Sequence, residues 1–107
     1  MIVSTMNDLP GYEITEVLGD VFGTTVFVRA AGSQIEAGLR GLFGGEARGL
    51  TGQLSDSRLE ARKRLIAAAD AEGADAVLAM RFQTNELRDV GTEICAYGTA
   101  VKARKVA

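Results

Sequence analysis

Cys95 is the one cysteine of the chain, and with Met1, Met6 and Met80 it completes the soft donors on offer to a metal ion. Thiolate and thioether sulfurs select soft metals such as copper(I) and zinc. A lone thiol cannot close an internal disulfide or supply a Cys pair for zinc. It stands between Ile94 and Ala96, where an isolated cysteine ordinarily behaves as a small buried hydrophobe. A multi-thiolate site therefore requires several copies, each bringing its Cys95 to a common axis. The chain has no histidine. That removes the usual acid/base group near neutral pH and the commonest metal ligand, and with them catalytic triads and imidazole zinc sites.

Hard cations need clustered carboxylates. Asp8, Glu13, Glu16 and Asp20 are spread along a strand-like stretch, with Glu13 and Glu16 expected on opposite faces, and Asp70, Glu72 and Asp75 gather at a helix end where solvation is the simpler reading. The glycine-rich stretch from Gly41 to Gly52 offers backbone amides that could cradle an anion. It matches neither GxGxxG nor a Walker loop. Gly44, Gly45 and Glu46 with Arg48 and Arg58 form the one anion-binding constellation worth testing, against the simpler reading that these glycines permit tight turns. Arg58, Arg62, Lys63 and Arg64 read as the wet face of a helix, with no aromatic residues interleaved for base stacking. Tyr12 and Tyr97 lack a visible acid/base partner and read as packing residues.

These groups sit on a chain of 107 residues, which is one domain of ordinary size, residues 1–107. Hydrophobic residues make up 47% and charged residues 24%, the balance of a globular protein, and the net charge of −2 recommends neither nucleic acid nor an anionic membrane as partner. The sparse cysteine usage points to a reducing compartment. With no basic leader and no long apolar run, the expected location is a bacterial-type cytoplasm.

Ile2 to Thr5 is β-prone and is followed by a turn signal at Asn7, Asp8, Pro10 and Gly11. Tyr12 to Val28 is rich in β-branched and aromatic residues. It reads either as one long strand kinked at glycine, which is preferred, or as a hairpin turning near Gly19. Ile35, Leu39, Leu42 and Phe43 predict a short helix over residues 33–43 with Ser33 as N-cap and Gly44 beyond its end. A longer helix is predicted from about Gln53 to Glu72, or from a later start with Ser57 and Glu60 as a capping box, closed by Gly73, with Ala61, Leu65, Ala68 and Ala69 as its packing stripe. Small residues there let the helix lie close to a sheet.

Past Gly73, Ala76, Leu78, Met80 and Phe82 alternate with Val77, Ala79, Arg81 and Gln83, which is strand periodicity. A loop around Leu87 to Thr92 returns the chain into a second strand with Cys95, Tyr97, Thr99 and Val101 on one face and Ile94, Ala96, Gly98 and Ala100 on the other. The pair makes an antiparallel hairpin. Strands, helices and then a hairpin give an α+β fold, an antiparallel-rich sheet with the long and the short helix packed on one face.

Gly44-Gly45-Glu46, the helix carrying Glu60-Ala61-Arg62, the turn Gly73-Ala74-Asp75-Ala76-Val77 and the closing Gly98-Thr99-Ala100-Val101 together resemble the YbjQ-like family, labelled as heavy-metal-binding. The likeness spans nearly the whole chain through the order and spacing of motifs that are individually weak. It implies a small dodecin-like subunit whose strands join neighbouring copies in a ring, usually a homopentamer, and it carries over no catalytic residues. The residues themselves make association reasonable, because a sheet of few strands has exposed edges and a second face. The expected function is a non-catalytic oligomeric binding or scaffold protein, holding a metal ion or small ligand at subunit interfaces. The alternative is an enzyme with a composite interface site using carboxylate, Tyr97 or Cys95.

Overall fold

The computed structural model describes residues 1–28 and 48–106, so the short helix expected over 33–43, and Gly44, Gly45 and Glu46 after it, lie outside the described residues. β1 (Ile2–Val3) is followed by one continuous strand, β2 (Tyr12–Val28). Helix α1 (Arg48–Ala71) leads into β3 (Ala76–Leu87), which returns as β4 (Gly91–Lys105). The sheet order is β1-β3-β4-β2. β1 runs parallel to β3 and the other pairings are antiparallel, so the sheet is mixed and the fold is α+β.

Gly19 is a bend, not a hairpin turn. β2 stays paired to β4 along its whole length, with register shifts between Ile14 and Glu16 and between Val17 and Gly19, where Gly19 takes φ +119°. The first shift corrects the expectation for Glu13 and Glu16. Glu13 lies opposite Arg104 and Glu16 opposite Lys102, positions of β4 that share a face, so the added residue brings both carboxylates to the same side.

Helix α1 begins at Arg48, ahead of the expected Gln53, and takes Gly49 and Gly52 into its first turns. Each glycine costs about 1 kcal/mol against alanine, but Leu54 packs on the core and extends the apolar stripe upstream. Packing decides the boundary here over propensity. The other end closes as expected: Gly73 at φ +77° donates its N–H to the Asp70 carbonyl at 3.0 Å, and Ala74 donates to Ala69 at 3.1 Å. These are the two bonds of a Schellman cap.

Ala61, Leu65 and Ala69 are fully buried against Val21, Val77, Met80, Ile94, Ala96 and Ala100. Two contacts tie the helix to β2: the Thr25 hydroxyl donates to the Ser57 carbonyl at 2.9 Å, and Arg64 Nη1 donates to the Thr24 carbonyl at 2.6 Å. β4 alternates as its sequence predicts, with Ile94, Ala96, Gly98 and Ala100 buried beneath the helix.

The strict alternation expected for β3 does not hold. Leu78 pairs with Thr99 but Arg81 pairs with Tyr97, so three steps on β3 meet two on β4, and Ala79 adopts φ +53°. This is a β-bulge, and an added residue turns every later side chain to the opposite face. Val77 and Met80 therefore share the helix side, while Ala76 and Leu78 pack on the far side with Val101, Leu9 and Ile14.

Candidate functional site: the open sheet face around Cys95

β2 residues Val21, Gly23 and Thr25 are buried on the helix side of the sheet, which turns Phe22, Thr24 and Val26 to the other side. Register then builds three rows across the open face. Phe22 lies opposite Tyr97 and Tyr97 opposite Arg81; Thr24 lies opposite Cys95 and Cys95 opposite Gln83; Val26 lies opposite Glu93 and Glu93 opposite Asn85. Directly opposed side chains share a face and interact. The first row presents two aromatic rings flanked by a cation, and the next presents a thiol between a hydroxyl and an amide.

Beyond the part that Ala76, Leu78 and Val101 bury with Leu9 and Ile14, apolar groups of this face meet water. Val17 is 66% exposed, Phe22 55% and Val26 45%. Tyr97 and Cys95 are half-buried. The Cys95 sulfur lies 3.7 Å from the carbonyl oxygen of Ala96, a weak contact that leaves its position set mainly by the strand. In the third row Asn85 Nδ2 donates to Glu93 Oε1 at 3.1 Å.

Arg48 opens α1, while Arg58 stands about ten residues on, roughly 15 Å further along the axis. The Arg58 guanidinium lies 5.5 Å from the centre of the Phe82 ring, which is cation–π range. Arg58 is thus a lid on Phe82; Gly44, Gly45 and Glu46, the rest of the anion constellation expected with Arg48, lie outside the described residues. Glu13 is ion-paired with Arg104, and Asp75 accepts the backbone N–H of Ala103 at 2.9 Å, so these carboxylates serve the sheet.

Among the described residues, no group of three or more His, Cys, Asp or Glu side chains is placed to hold a metal ion. With one thiol per chain, the donor set of a single described subunit does not fit a soft metal, whose sites use several sulfur or nitrogen ligands. No helix among the described residues is long and apolar enough to cross a membrane.

A family model described as "Putative heavy-metal-binding" matches residues 1–104. The chain belongs to the YbjQ-like family. Among its relatives, a UPF0145 protein of Streptomyces coelicolor is 59% identical over 94% of this chain and 95% of its own length. Another, from Acidothermus cellulolyticus, is 52% identical over 99% of this chain and 98% of its own. The fold is similar to a crystal structure of a protein of unknown function of the DUF74 family from Pediococcus pentosaceus. That match has a TM-score of 0.56 and 17% sequence identity, and covers 97% of this chain and 98% of the other.

Sequence reasoning finds the face of Cys95, Tyr97 and Thr99 from alternation alone. It misses that Phe22 completes the aromatic row and that Arg81 flanks it. Phe22 follows from the β2–β4 register, and Arg81 reaches that side only because of the bulge at Ala79.

Proposed function

We propose that this member of the YbjQ-like family is a non-catalytic binding or scaffold protein that works as a homo-oligomeric ring, a pentamer of dodecin-like subunits, in the bacterial cytoplasm. The observation that carries this is the open face: Phe22 stays exposed opposite Tyr97, with Val26 and Val17 exposed further along the same side of β2, opposite the face that α1 covers. Asp20 and Thr24 are interleaved with them on this face, and large apolar side chains left exposed on an uncovered sheet face favour association. The sheet edges point the same way. Among the described residues β2 is an edge of the sheet, and the Ile2–Met6 segment bonds to β3 only as far as Met80. An edge of one kind meeting an edge of the other is a head-to-tail contact, and such contacts close into rings when the rotation allows.

In this reading a metal ion or small ligand is held between copies, where each chain contributes one Cys95 thiol and the flanking Thr24 and Gln83. Several thiolates around one axis supply the soft donor set that one subunit lacks. The net charge of −2 fits a partner that is neither nucleic acid nor membrane.

Native mass spectrometry of freshly purified protein tests the reading. The expected spectrum is a single pentameric species with added mass, one copy per ring for an axial site or one copy per chain for interface pockets. A bare ring removes the ligand role.

A further inference from the structure

We propose that the Ile2–Met6 segment is a register clamp for β3, deciding which side chains the outer half of that strand turns to the open face. The bulge makes the N–H groups of Ala79 and Met80, successive residues, both donate to this segment: Ala79 to the Met6 carbonyl at 2.8 Å and Met80 to the Ser4 carbonyl at 2.9 Å. A regular strand sends successive N–H groups to opposite edges. Ser4 returns a bond to the Val77 carbonyl at 2.8 Å, and its Oγ accepts the Met6 N–H at 3.0 Å. Arg81 Nη1 closes the loop on the Thr5 and Met80 carbonyls at 2.8 and 2.9 Å.

Ala79 pays for this arrangement with φ +53°, a left-handed conformation that non-glycine residues avoid. The segment supplies the acceptors that make the conformation worthwhile. Gly98, opposite the bulge, makes room: a Cβ there would lie 2.6 Å from Val77 Cγ1 and 2.9 Å from the Leu78 carbonyl oxygen.

Without the clamp, β3 regains regular alternation and slips by one residue against Tyr97. Met80 then replaces Arg81 as the cross-strand neighbour of Tyr97, and Phe82 leaves Arg58 for the open face. The seated segment thus keeps Arg81, its guanidinium held on the Thr5 and Met80 carbonyls, and not two further apolar side chains, on the Tyr97 side of β3. That this regulates association rests on the function proposed above; the register itself does not.

NMR on the full chain separates the two. Ser4→Pro removes the N–H donated to Val77. The expected result is at least a tenfold loss of hydrogen-exchange protection at Ala79 and Met80, together with a shift of the Tyr97 Hα cross-strand NOE from Arg81 to Met80. Unchanged protection, or lost protection with the Arg81–Tyr97 NOE intact, overturns the proposal. Should Ser4→Pro fail to fold, Ala79→Gly tests it from the other side. Easing the bulge should raise protection of the Ser4 and Met80 amides with the Arg81–Tyr97 pairing kept, and unchanged or lowered protection overturns the clamp. Neither readout depends on how many copies associate.

Discussion

Gly23 lies directly beneath Ala61, so close that a Cβ built on Gly23 would stand 2.1 Å from the Ala61 carbonyl oxygen and 2.2 Å from the Leu65 nitrogen. Helix backbone and strand backbone touch at this point, and neither can yield as a flexible side chain would. Small residues on both elements set the helix-to-sheet distance, and the fully buried Ala61, Leu65 and Ala69 fill what remains. Gly23→Ala should therefore lower unfolding free energy by about 3 kcal/mol, the upper range for overpacking. Urea denaturation followed by circular dichroism measures it, and a loss below about 1 kcal/mol would show that the helix rides higher.

Gly73 makes the contrasting case. Nothing lies within 4 Å of an added Cβ, but its φ is +77°. Gly73→Ala should cost about 1–2 kcal/mol from backbone conformation alone, without disturbing neighbouring packing. The same denaturation experiment should show a shifted midpoint with an unchanged slope.

Thr25 is a buried polar residue whose hydroxyl donates to the Ser57 carbonyl at 2.9 Å. Thr25→Val keeps the shape and removes the bond. A loss of about 1 kcal/mol is expected, and no loss would mean that this hydroxyl does not help hold the helix to β2.

What could be read from the residues follows from how local each signal is. Gly73 as a helix stop, the alanine stripe of α1 and the alternation of β4 are written in a few neighbouring residues, and all three stand in the structure. The bulge at Ala79 is not so written. Alanine carries no mark of a left-handed conformation, and the acceptors that make it tolerable come from Ser4 and Met6, far away in sequence. Because the bulge turns Arg81 outward, the composition of the open face was legible only on the β4 side. The start of α1 is hidden for a related reason: Gly49 and Gly52 argue locally for a break, and the packing of Leu54 outweighs them.

Cys95 tests the ligand role. It is half-buried beside Thr24 and Gln83, so a thiol reagent should label it slowly in native protein. Added zinc or copper(I) should slow labelling at least tenfold at less than one metal per chain, since each ion would be shared. Cys95→Ser should abolish metal uptake. Labelling that ignores metal would remove Cys95 from any site.

The most direct test of the account is sedimentation velocity of the wild-type chain beside Phe22→Asp at micromolar concentration. Phe22 is exposed in the single subunit, so the substitution should change subunit stability by no more than about 0.5 kcal/mol while placing a charge in the middle of the proposed contact. The wild type should sediment as a pentamer and the variant as a folded, smaller species. A wild-type chain that sediments as a monomer, or a variant that assembles as well as the wild type, would contradict association through the face that Phe22 and Tyr97 share.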